Sequence, residues 1–94
     1  MPQRFIHFHD QLINRILLAS SQEEVKTHID TTIKEIGQQE KEILVPFYFA
    51  GKMIEELELY SPMKKNAQQW SNIQMARVHL HGIRTEMKET TDRA

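Results

Sequence analysis

Ile43-Leu44-Val45-Pro46-Phe47-Tyr48-Phe49-Ala50 is an almost unbroken apolar run, and it reads two ways. Its β-branched and aromatic content suits a strand. No second strand is available elsewhere in the sequence to pair with it. The helical reading has support from the residues beyond it. Ile43, Phe47, Ala50, Ile54 and Leu57 recur at steps of 4-3-4-3, a short heptad seam. An element apolar nearly all round is a buried one. Pro46 inside it predicts a kink or a break near Val45. The run is therefore read as part of a third helical segment over about 38–60, and the fold class becomes all-α.

The flanking sequence agrees. In a first segment, over about 4–19, Phe5, Phe8, Leu12, Ile16 and Ala19 recur at steps of three and four. Ile6, His9, Ile13 and Leu17 form a parallel line, so this helix turns a wide face to the core. Ser20-Ser21-Gln22-Glu23-Glu24 then signals a helix start. Ser20 with Glu23, or Ser21 with Glu24, has capping-box spacing. The second helix carries Val25, Ile29, Ile33 and Ile36 as a narrow stripe. Gly37 stands just after it, where a left-handed C-terminal cap is expected. Ser61-Pro62 predicts the start of a fourth helix, with serine as N-cap and proline in the first turn. Its apolar line is Met63, Ala67, Trp70, Ile73, Ala76, Leu80, Ile83 and Met87. Glu55, Glu56 and Glu58 before this turn and Lys64 and Lys65 after it oppose their own helix dipoles, but they neutralise one another across an antiparallel hairpin. The expected architecture is a small up-down antiparallel bundle of four helices, or three longer ones if the second and third segments merge. The whole chain, 1–94, forms one domain, with a frayed polar tail over about 89–94.

Composition narrows the function classes. A chain with 39% hydrophobic and 27% charged residues suits an ordinary folded domain rather than a disordered one. Twelve basic and thirteen acidic residues are interspersed, with no basic stripe, so nucleic acid is not expected as a partner. Without cysteine there is no disulfide framework, thiolate metal site or cysteine nucleophile. Arg4, Asp10 and Arg15 interrupt every early apolar run, so no signal peptide is read. No stretch approaches the roughly 20 apolar residues of a membrane span. A cytoplasmic protein without membrane association follows by elimination.

Histidine is the one enriched reactive residue, with five copies. His7 with His9 and His79 with His81 are His-x-His pairs, which point to nearly opposite sides of a helix. Metal ligands on one helix need i,i+4 spacing. A site would have to join helices, for instance His9 with His79 and a carboxylate from Asp10 or Glu86. Glu24 and His28 are correctly spaced but make only two ligands, and the Glu-x-x-His signature of bundle di-iron sites is absent. His79-Leu80-His81-Gly82 also fails the pattern of a histidine phosphotransfer helix. No cofactor is expected. Neither a phosphate-binding glycine loop nor a carboxylate pair in an apolar setting argues for an enzyme.

The surplus of apolar residues is more informative. Val45, Phe49 and Met53 form a second line on the third helix, and Leu44 and Tyr48 a third. Met75, Val78 and Gly82 make a minor stripe on the fourth helix. Apolar surface beyond what a core absorbs marks an interface. The expected function is a non-enzymatic interaction or oligomerisation module. It would form a homodimer, or bind another protein, through Val45, Phe49, Met53, Met75 and Val78. The alternative is a metal or small-ligand site built from histidines of different helices.

Overall fold

The computed structural model describes residues 3–42 and 44–93. Among them are four α-helices: α1 (Gln3–Leu18), α2 (Gln22–Gln39), α3 (Leu44–Glu58) and α4 (Ala67–Arg93). A short 3₁₀ turn, Pro62–Lys64, precedes α4. The molecule measures 42 × 27 × 22 Å. At 1.5 Å per residue, the 27 residues of α4 extend about 40 Å and span its long axis. Each helix packs against the other three in an up-down antiparallel bundle. Gln22 meets Ser71, and Asp30 meets His79, both across 49 residues of chain, so α2 and α4 run in the same direction.

The apolar stripes meet in one core. Phe5, Leu12, Ile13 and Ile16 of α1 pack with Val25, Ile29 and Ile36 of α2, Phe49, Met53, Ile54 and Leu57 of α3, and Ile73, Ala76 and Leu80 of α4. The α1–α2 connection is short because its cap works at once. Ser21 Oγ accepts the Glu24 amide at 3.1 Å, and the Glu24 carboxylate accepts the Ser20 amide at 3.2 Å. Both possible start serines thus serve one capping box, with Ser21 as N-cap.

Four boundaries differ from the sequence reading. Gly37 does not end α2. The helix continues through Gln38 and Gln39 and stops at Glu40, whose backbone is extended. Two glutamines are good helix formers, and together they outweigh one exposed glycine. Pro46 lies in the first turn of α3, where its missing amide has no helical acceptor to lose. The chain therefore breaks before Leu44 rather than kinking, and segments two and three stay separate helices. Ile43, the first position of the heptad seam, lies outside the described residues. Ser61-Pro62 opens only the 3₁₀ turn, where Ser61 Oγ accepts the Met63 amide at 3.3 Å. The start of α4 is a second capping box. Asn66 Oδ1 accepts the Gln69 amide at 2.8 Å, and Gln69 Oε1 accepts the Asn66 amide at 3.2 Å. This keeps Lys64 and Lys65 out of the positive end of α4 and leaves Met63 on the surface, 93% exposed, rather than in the core. Finally, the polar tail is helical to Arg93, with the Thr90 hydroxyl bonded to the Glu86 carbonyl at 3.0 Å.

One buried polar side chain ties the bundle together. Asn72 on α4 is fully enclosed. Its amide nitrogen donates to the carbonyls of Ile16 at 2.9 Å and Ala19 at 2.8 Å, and its oxygen accepts from Gln68 at 2.9 Å. The last carbonyls of a helix have no intrahelical donor. Asn72 supplies one from another helix and so fixes where α1 ends against α4.

Candidate interaction surface

The five residues expected at an interface separate into different environments. Phe49 is 1% and Met53 0% exposed, both enclosed by the other helices of the same chain. They offer no surface to a partner, which corrects the expectation that they anchor one. The reason is angular. The line Val45–Phe49–Met53 and the line Ala50–Ile54–Leu57 are adjacent on α3 and merge into one wide inner face, with Val45 half-buried at its edge. Met75 is half-buried against the core. Val78 remains outward, 68% exposed, and lines a groove between α2 and α4 with Met75, Lys26, Asp30, His79 and Glu86.

The apolar surface of α3 lies on the opposite side. Leu44, Tyr48, Lys52, Glu55 and Leu59 follow one another at steps of four, four, three and four, one face of a helix. Tyr48 is 64% and Leu59 79% exposed, and Leu44 is exposed to a lesser degree. Lys52 and Glu55 sit between them, paired at 3.3 Å. Ile6 of α1 adjoins this face. It lines a groove of about 320 Å³ with His9, Lys52, Glu55, Glu56 and Leu59. A second groove, toward α4, is walled by Tyr48, Gly51, Glu58, His81 and Arg84. The absence of a side chain at Gly51 matters here. A Cβ at that position would stand 3.2 Å from the Arg84 guanidinium carbon, which rests 4.1 Å above the Phe47 ring. Leu44 and Tyr48 are recognisable in sequence as a line of their own. Ile6 and Leu59 are not, because the spacing of Ile6 places it with the core line of α1 and Leu59 follows the last turn of α3.

The histidines occupy separate places. His9 sits edge-on to Phe49, ring centres 6.5 Å apart, in the α1–α3 groove. His79 bonds Asp30 at 2.7 Å in the α2–α4 groove. His7 bonds Gln11, and His28 meets Glu24 at 3.4 Å. His9 and His79 thus line different grooves. Among the described residues no three His, Asp or Glu side chains gather closely enough to hold a metal ion. Tyr60, at the α3–α4 turn, has its hydroxyl held back from ionising. Burial raises its pKa above 10.0, and the neighbouring Glu56 charge and the hydrogen bond to Glu56 at 3.4 Å add to this. No described helix is long and apolar enough to cross a membrane. No protein-family model, curated protein or solved structure matches the chain.

Proposed function

We propose that the chain is a non-enzymatic helical interaction module that docks a partner protein on the outer face of α3. The observation that carries this reading is the grouping of Tyr48, Leu59, Leu44 and Ile6 around the Lys52–Glu55 pair. Scattered exposed apolar residues need no explanation, whereas a contiguous apolar face with a charged centre is the pattern of a recognition surface. An exposed tyrosine beside an apolar groove is a typical interface anchor. The reading includes a cytoplasmic location.

Site-directed photo-crosslinking tests it. A benzophenone side chain is placed at Tyr48, at Leu59, or at the exposed control Thr31 on α2, in the cells that make the protein. A discrete protein adduct from positions 48 and 59 but not from 31 is the expected result. Adducts from none, or equally from all three, would refute a docking surface on α3.

A further inference from the structure

We infer that the partner is a second copy of this chain, packed antiparallel through α3 about a two-fold axis between Met53 and Ile54. This inference rests on the interaction reading above and names the occupant of its surface. Exposed side chains of α3 are self-complementary about that point. Positions equally distant from the axis oppose each other in an antiparallel helix pair. Lys52 then faces the partner's Glu55, and Glu55 faces the partner's Lys52. Together with the 3.3 Å pair within each chain, the four side chains close an alternating ring of charge. One step outward, Tyr48 faces the partner's Leu59. Leu59 forms one wall of the groove it shares with Ile6, so the tyrosine ring has an apolar slot to enter. Beyond that, Leu44 is directed toward the partner's 3₁₀ turn, which carries the almost fully exposed Met63. Among the described residues, five of the seven large exposed hydrophobic side chains fall in this one arrangement.

Other registers do not combine these features. A parallel two-fold pair sets Lys52 against Lys52 and Glu55 against Glu55. Sliding the antiparallel pair by one turn sets Lys52 against Gly51 in one direction and against Leu59 in the other, leaving the charges unmatched. Charge matching therefore selects both direction and register. The contact is one 15-residue helix long. A contact of that length is small, at the end of the range where weak, transient pairs lie.

The test is charge reversal with rescue in trans. Molar mass is followed by sedimentation from micromolar to submillimolar concentration. The native chain is expected to rise from 11.1 kDa toward twice that mass. Lys52→Glu and Glu55→Lys each replace two attractive contacts by two repulsive ones, and each weakens dimerisation about tenfold or more. An equimolar mixture of the two variants re-forms both pairs between the chains, and the doubly reversed chain re-forms those together with the pair within each chain. Both are expected to regain native association. Far-ultraviolet circular dichroism confirms that each variant is folded, which the exposure of both positions favours. A native chain that stays at 11.1 kDa throughout, single reversals without effect, or a mixture that fails to recover would each overturn the inference. The two readings fail separately. A crosslinked adduct heavier or lighter than twice the chain, with a monomeric native protein, removes self-pairing and leaves the docking surface standing. Absence of both adduct and dimer removes both.

Discussion

Replacing Asn72 by alanine tests the contact that joins α1 to α4. The substitution removes two buried hydrogen bonds, to the carbonyls of Ile16 and Ala19 at 2.9 and 2.8 Å. A hydrogen bond contributes about 1 kcal/mol net, and a buried acceptor left without a donor costs about 1–3 kcal/mol. The Ile16 carbonyl keeps the Ala19 amide as a donor at 3.4 Å, so the lower part of that range applies. The sum is a loss of about 2–4 kcal/mol. Against a domain stability of roughly 5–14 kcal/mol at this length, that is a large fraction. The assay is urea unfolding followed by far-ultraviolet circular dichroism, with the midpoint and slope fitted together. Asn72→Asp makes the argument specific. It keeps the shape but sets a carboxylate against two carbonyl oxygens, so it must destabilise at least as much as alanine at neutral pH. Gln68→Ala removes only the bond to the Asn72 oxygen and costs about 1 kcal/mol or less. A loss below about 0.5 kcal/mol for Asn72→Ala, within the range of an ordinary surface change, would refute the role assigned to this side chain.

The helical glycines make a graded series. Gly37 and Gly82 sit inside helices without positive φ, and no atom beyond the adjoining residues and the local helix backbone lies within 4 Å of the place a Cβ would take. Alanine at either site should stabilise the fold by about 0.5–1 kcal/mol, measured as a rise in the urea midpoint. At Gly51 that gain should be smaller, because a Cβ 3.2 Å from the Arg84 guanidinium carbon obliges that group to shift by a few tenths of an ångström over Phe47. Tyr60, whose pKa is raised from 10.0 in the fold, contributes stability that is complete below pH 10 and is lost as pH rises through its folded value. Alkaline unfolding should therefore begin at higher pH for Tyr60→Phe than for the native chain, and ultraviolet titration should show a phenol ionising above pH 10 that Tyr60→Phe lacks.

Periodicity makes the helices legible, and local chemistry decides where they stop. The stripe Val25, Ile29, Ile36 and the line Ile73, Ala76, Leu80 are buried as their spacing requires. Helix ends depend on one or two side chains meeting particular amides, and several residues compete for that role. Ser61-Pro62 has the composition of a start signal, yet Asn66 and Gln69 supply both halves of a cap four residues later. Asn-x-x-Gln is present in the sequence as a capping-box variant but is masked by the more familiar serine-proline pair. Asn72 is not legible at all. Its flanks are polar and apolar by turns, and the acceptors its amide donates to are main-chain carbonyls more than fifty residues away. The surface on α3 is half legible. An excess of apolar residues on that helix is evident, but which line faces outward depends on the angle at which α3 meets α1 and α4.

That angle gives neighbouring residues opposite roles, which makes them useful as a pair. Tyr48 and Phe49 are adjacent in sequence, but one is 64% exposed and the other 1%. A step of one residue turns the side chain by about 100° around the helix, enough to move it from the outer face to the core. Phe49→Ala should empty a site in contact with His9 and the core and cost about 3–5 kcal/mol. Tyr48→Ala removes a side chain that is largely in water and should change stability by less than about 0.5 kcal/mol. If the outer face of α3 is the docking surface, Tyr48→Ala should nevertheless abolish association in a fully folded protein, whereas Phe49→Ala should reduce association only in proportion to the population unfolded. Sedimentation and urea unfolding on the same two variants separate these outcomes. Loss of association from Phe49→Ala under conditions where it remains folded, together with a silent Tyr48→Ala, would reverse the assignment and return the interface to the inner line of α3.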